Sequence, residues 1–120
     1  MRFFLTAVAA ALLLSALGCH SAFIEATVQN HTARPIDLVE VDYPSASFGT
    51  QALAPGVDFH YRFKVLGTGP TKLLWTDDTH TERSAPGPEL HEGDEGRLTF
   101  TFSPSGPTFQ KSLTNHGQPR

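Results

Sequence analysis

Hydrophobic and polar residues alternate most cleanly between Val57 and Leu66. Val57, Phe59, Tyr61, Phe63 and Val65 fall on one side, and Asp58, His60, Arg62 and Lys64 on the other. A period of two with one apolar side predicts a strand packed on one face and wetted on the other. Arg97 to Ser103 repeats the pattern, with Leu98, Phe100 and Phe102 inward and Thr99 and Thr101 outward. Ile36 to Tyr43 is a third strand, with Val39, Val41 and Tyr43 inward. Ile36 and Leu38 break its alternation, so a bulge or two-sided burial is expected there.

Shorter stretches fill the gaps. Phe23 to Gln29 puts Ile24, Ala26 and Val28 on one face, Ser47 to Leu53 contains Gly49, and Thr71 to Thr76 carries Leu73 and Trp75. Thr81 to Ala85 returns from that last strand through the polar turn Asp77-Asp78-Thr79-His80. About seven short strands separated by Gly and Pro turns predict a single all-β antiparallel sandwich. It occupies residues 22–104. The tail, 105–120, has few apolar residues to offset the cost of ordering and is expected to be mobile.

Two corners share a plan. Leu53-Ala54-Pro55-Gly56 leads into one alternating strand and Leu90-His91-Glu92-Gly93 toward another. In each, Leu plugs the core while Gly turns the chain. The first resembles the Leu-x-Pro-Gly corner of fibronectin type III and related immunoglobulin-like domains. There a Tyr follows the Gly by three residues and anchors the corner with its hydroxyl. Here that position is Phe59, and Tyr61 comes two residues later. Three further strands also follow where a fibronectin domain would have one. The resemblance therefore implies an immunoglobulin-like sandwich architecture and not membership of that family.

The first nineteen residues break the β pattern altogether. Arg2 is followed by an apolar run, Phe3 to Leu17, that closes on Ser15-Ala16-Leu17-Gly18-Cys19. A basic start, a short apolar stretch and small residues at its end describe an exported signal peptide. The run is short for a membrane span of about 20 residues. Ala16-Leu17-Gly18-Cys19 resembles the lipobox of bacterial lipoproteins, with Ala16 where Leu is commonest. The resemblance implies removal of residues 1–18, acylation of Cys19 and a short tether, 19–21. Cys19 is the chain's one cysteine; acylation accounts for an otherwise unpaired thiol in an exported protein. His20 is not the Asp that keeps many Gram-negative lipoproteins in the inner membrane, so the resemblance implies the periplasmic face of the outer membrane in such a source.

The chain of 120 residues carries a formal charge of −3, and the segment to be removed holds a cation and no acid. A mildly acidic domain has no electrostatic footprint for nucleic acid and no polybasic patch to hold it on anionic lipid. Membrane attachment falls to the acyl chains.

Chemistry is sparse. Hydrolase, phosphate-loop and Cys-x-x-Cys signatures are missing, so a non-enzymatic domain without a cofactor is expected. Its role would be a binding or structural one in the cell envelope, toward a protein or a small ligand. The alternative is metal handling. Six histidines are many for a small domain, and His is the commonest metal ligand. They are scattered; a site from His80, Glu82 and His91 would require two loops to meet. Glu89, Glu92, Asp94 and Glu95 lack calcium-loop spacing and are expected to be solvated. Asn30-His31-Thr32 matches a glycosylation sequon but is read as a turn toward Pro35. The remaining candidate surface is the loop from Tyr43 to Gly49, with Tyr43 and Phe48 as contact residues. Phe48 could equally be tucked beneath a plain crossover. The turn Asp77–Glu82 and the corner Glu89–Gly96 complete the set of surfaces open to a partner.

Overall fold

A computed structural model describes residues 21–116. It contains eight strands: β1 (Ile24–Asn30), β2 (Ile36–Tyr43), β3 (Ala46–Leu53), β4 (Asp58–Phe63), β5 (Gly69–Thr76), β6 (Glu82–Leu90), β7 (Glu95–Ser103) and β8 (Gly106–Thr114). They form two four-stranded sheets, ordered β4-β1-β7-β8 and β3-β2-β5-β6. Neighbours are antiparallel except β1 and β7, which run parallel. The fold is an all-β sandwich. An immunoglobulin constant domain places its first two strands side by side in one sheet; here β1 and β2 lie in opposite sheets.

One core lies between the sheets. β1 contributes Ile24, Ala26 and Val28; β7 contributes Leu98, Phe100 and Phe102. From the facing sheet come Val39 and Val41 of β2 and Leu73 of β5. Both corner leucines plug this core, Leu53 at 3% exposure and Leu90 at 0%. Their glycines turn the chain as expected, with Gly56 at φ 76° and Gly93 at φ 87°. The broken alternation in β2 is answered in β3. The inward set slips by one residue in both strands, between Ile36 and Val39 and between Thr50 and Leu53. Ala52 takes φ 56° at that point. Because both strands slip together, their register is preserved.

Three expectations are corrected. The stretch 106–114 is a strand, not a mobile tail. Every residue of β7 finds a partner on β8, so the ladder satisfies backbone groups that composition alone cannot reveal. Little apolar burial is needed, and Thr108 to Ser112 are all exposed. The return from β5 runs to Leu90 despite Pro86 and Pro88, because β6 is an edge strand and edges tolerate proline. Val57, just ahead of β4, and Tyr61 within it are 46% and 41% exposed. This strand is also an edge, so its inward side is only part covered, while Phe63 is buried.

Candidate functional site

The strand directions sort the loops into two ends. Phe23, the turn after Tyr43, the link 64–68, the corner 91–94 and Asn115 lie at one. The loop 31–35, the corner 54–57, the turn 77–81 and the turn 104–105 lie at the other. The first and last strands, β1 and β8, respectively begin and finish at the first end. A nine-residue strand such as β6 separates the ends by about 30 Å.

The far end holds an open cleft of about 630 Å³, in the size range of small-molecule sites. Its apolar wall comes from Trp75, Phe102, Ile36 and three prolines, Pro35, Pro104 and Pro107. Trp75 meets Phe102 edge-on at 5.2 Å between ring centres, a favoured aromatic geometry. Trp75 only partly enters the core, which leaves it for the cleft.

Two polar side chains shape the loops around this wall. Asn30 is fully buried. Its Nδ2 donates to the carbonyls of Arg34 and Leu53, both at 2.9 Å, and its Oδ1 accepts from the Thr32 amide and hydroxyl at 2.9 and 2.6 Å. All its amide valences are used, and the loop 31–35 is folded around it. The sequon is thus a structural turn, as its sequence context indicated. Asp77 does the same for the turn after β5. Its Oδ1 accepts from the Thr79 amide and hydroxyl and from the Thr81 amide, at 2.9, 2.6 and 3.0 Å, and its Oδ2 takes Arg83 Nε at 2.7 Å. The Thr79 hydroxyl foremost, then Arg83 and the Thr81 amide, hold this carboxyl far below the usual carboxylate range.

A second ion pair crosses the cleft rim. Arg34 Nη1 lies 2.6 Å from Asp78 Oδ2 and joins the loop 31–35 to the turn 77–81. Nearby, His80 Nδ1 is 3.0 Å from Asp37 Oδ2. That carboxylate oxygen is shielded from solvent and receives no bond of proper hydrogen-bonding geometry. His80 itself takes φ 60°, a left-handed backbone uncommon outside glycine.

The residues singled out by sequence fare differently. His80 and Glu82 sit at the far end and His91 at the near end, so β6 holds them apart and they form no common site. Among the described residues, no three His, Cys, Asp or Glu side chains converge as metal ligands would. Of the loop residues Tyr43 and Phe48, Phe48 is tucked beneath the crossover and Tyr43 is half-buried. Phe48 is 6% exposed and Tyr43 packs on Phe63 with 4.4 Å between ring centres. Phe48 stacks on Tyr61 at 4.7 Å. Together these rings seal the side of the sandwich where the edges β3 and β4 meet. The tight hairpin between β2 and β3 leaves no long loop to present them.

Asp94 departs from the solvated acidic loop that was expected; it is fully buried. Its Oδ2 accepts from the His91 amide at 2.9 Å and its Oδ1 from Asn115 Nδ2 at 3.0 Å. Cys19 lies outside the described residues. Sequence reasoning missed Trp75, Arg34 and Arg83 as site residues. Trp75 follows the inward pattern of its strand, and only the fold shows that the end of this strand meets Phe102, Arg34 and Arg83. The signal that was available is the run Asp77-Asp78 with Arg83, acids and a base flanking one turn.

No protein-family model and no curated protein matches this chain.

Proposed function

We propose that the chain is a bacterial lipoprotein of the cell envelope, acylated on Cys19, whose sandwich is a non-catalytic binding module. The module uses its scaffold as immunoglobulin-like sandwiches do, through loops at one end of a rigid core. The observation that carries this reading is polarity. The cleft opens at the end opposite Phe23 and Asn115. An anchor at Cys19 on a short tether would put the near end at the lipid and turn the cleft outward. The cleft's ionisable groups are held charged in ion pairs and turn caps, which suits binding better than proton transfer. In a Gram-negative source the module resides on the periplasmic face of the outer membrane.

Mass spectrometry of the purified N-terminus tests the anchor. The expected product begins at Cys19 and carries two or three acyl chains, and Cys19→Ser abolishes them. A mature, unacylated start at another residue contradicts the reading.

A further inference from the structure

The far-end cleft combines three features that together specify a class of ligand. First, its rim is electrically balanced. Arg34 is paired with Asp78 and Arg83 with Asp77, so no net charge selects an ion. Second, both pairs keep hydrogen-bonding capacity. Arg34 uses Nη1 and Arg83 uses Nε, out of five N–H donors on each guanidinium. Asp78 accepts through Oδ2 and retains Oδ1. Donors and acceptors therefore stand side by side, and the Asp77–Arg83 pair is further fixed by the turn that Asp77 caps. Third, the wall below is an indole edge-on to Phe102, flanked by proline rings.

A purely apolar ligand would strip water from the charged groups without replacing its hydrogen bonds, which is costly. A charged ligand would meet a like charge beside every opposite one. A sugar ring satisfies both conditions. Its hydroxyls donate and accept at once, it carries no charge, and its C–H face packs on an aromatic plane. We propose that the cleft binds a neutral saccharide, one ring against Trp75 and its hydroxyls shared between the Arg34–Asp78 and Arg83–Asp77 pairs. This rests on the reading of the cleft as the module's binding surface.

Trp75 is the chain's one tryptophan; its fluorescence reports on the cleft and on a smaller groove beside Leu38 and Leu74, and Asp78, which lines the cleft alone of the two, tells them apart. The full chain, in a detergent without a sugar headgroup, is titrated with chitotriose, maltotriose, glucuronate and benzoate. The expected result is a saturable change in Trp75 emission with a neutral trisaccharide. Binding should fall tenfold or more in both Arg83→Ala and Asp78→Ala, checked as folded by circular dichroism. Response to chitotriose alone would identify an N-acetylated, wall-type glycan, and response to maltotriose alone a glucan. Response only to glucuronate or benzoate overturns the proposal, as does a saccharide response that both variants leave unchanged. Acrylamide quenching separates the two levels of the argument. If Trp75 is quenched freely but no trisaccharide binds, the ligand class is wrong. If Trp75 is protected from acrylamide, the open cleft itself, and with it the binding surface, is wrong.

Discussion

The two ends of the sandwich use the same device for opposite results. At each end a buried polar side chain, Asn30 far and Asp94 near, bonds a backbone group of its own loop and a group from another segment, Leu53 O for Asn30 and Asn115 Nδ2 for Asp94. At the near end the loops are then tied to each other. Leu66 N donates to Ser45 Oγ, Gly67 N to Glu92 Oε1, Glu92 N to Thr68 Oγ1, and Asn115 Nδ2 to the Glu92 carbonyl. Aromatic rings complete the closure, with Tyr43 on Phe63 and Phe63 on Phe48. At the far end the loop 31–35 is tied to its neighbours through Arg34 on Asp78, Asn30 on Leu53 and Val57, and His31 on Phe102, while the two turns are held mainly by bonds of their own. Asp77 caps its own turn, and Ser103 bonds Ser105 and Gly106 within the next. The cleft opens among these segments, with the Arg34–Asp78 pair across its rim. A cleft can thus open where the strands end, without any gap in the core itself.

The sharpest way to break the comparison is to truncate one aromatic at each end. Phe63 is 4% exposed, and Phe63→Ala should cost ~3–5 kcal/mol as a core cavity. Trp75→Ala, at the part-buried far wall, should cost roughly 1–2 kcal/mol, because less of the side chain leaves a packed environment. Urea denaturation of both decides the matter. Equal losses would mean that the far end is as tightly filled as the near one.

Asn30→Ala comes next. Its removal strands the carbonyls of Arg34 and Leu53 and the Thr32 amide, and each buried polar group left unpaired costs ~1–3 kcal/mol. Water can reach part of this loop, so a net loss of about 2 kcal/mol is expected in the same assay. A neutral substitution would show that the loop 31–35 is not built on Asn30.

A smaller effect appears with pH. The Asp77 carboxyl is held below the usual carboxylate range by its bonds to Thr79, Arg83 and Thr81. Its contribution is therefore fully present above the unfolded value of about 4 and is lost as pH falls through the depressed folded value. Asp77→Asn should be less stable than the parent at pH 7, and the gap should narrow as pH drops below about 4. Thermal melts across pH 2–7 would show it. A gap that stays constant would remove Asp77's charge from the account of the turn.

Much of this was legible along the chain. The alternation of Val39 and Val41, Leu98 to Phe102 and Phe63 named core residues, and the two Leu-to-Gly corners were placed by their spacing. What local pattern could not supply is strand order. Whether an inward residue is covered depends on whether its strand is central or an edge. Tyr61 and Phe109 have inward positions and are still 41% and 44% exposed, because β4 and β8 are edges. The same limit hid β8, whose order comes from its ladder to β7 and not from its own composition. It also hid the cleft, since Trp75, Phe102 and Arg34 lie far apart in sequence and meet only when three loops gather at one end.

The claim that these ends face opposite ways, one toward the lipid and one toward a ligand, can be tested on the single tryptophan. The full acylated chain is reconstituted into vesicles, and Trp75 emission is followed with a water-soluble quencher, acrylamide, and with brominated lipids in the bilayer. Acrylamide should quench and brominated lipid should not, because the length of β6 separates Trp75 from the near end. Quenching by brominated lipid with protection from acrylamide would place the cleft against the membrane and contradict the account.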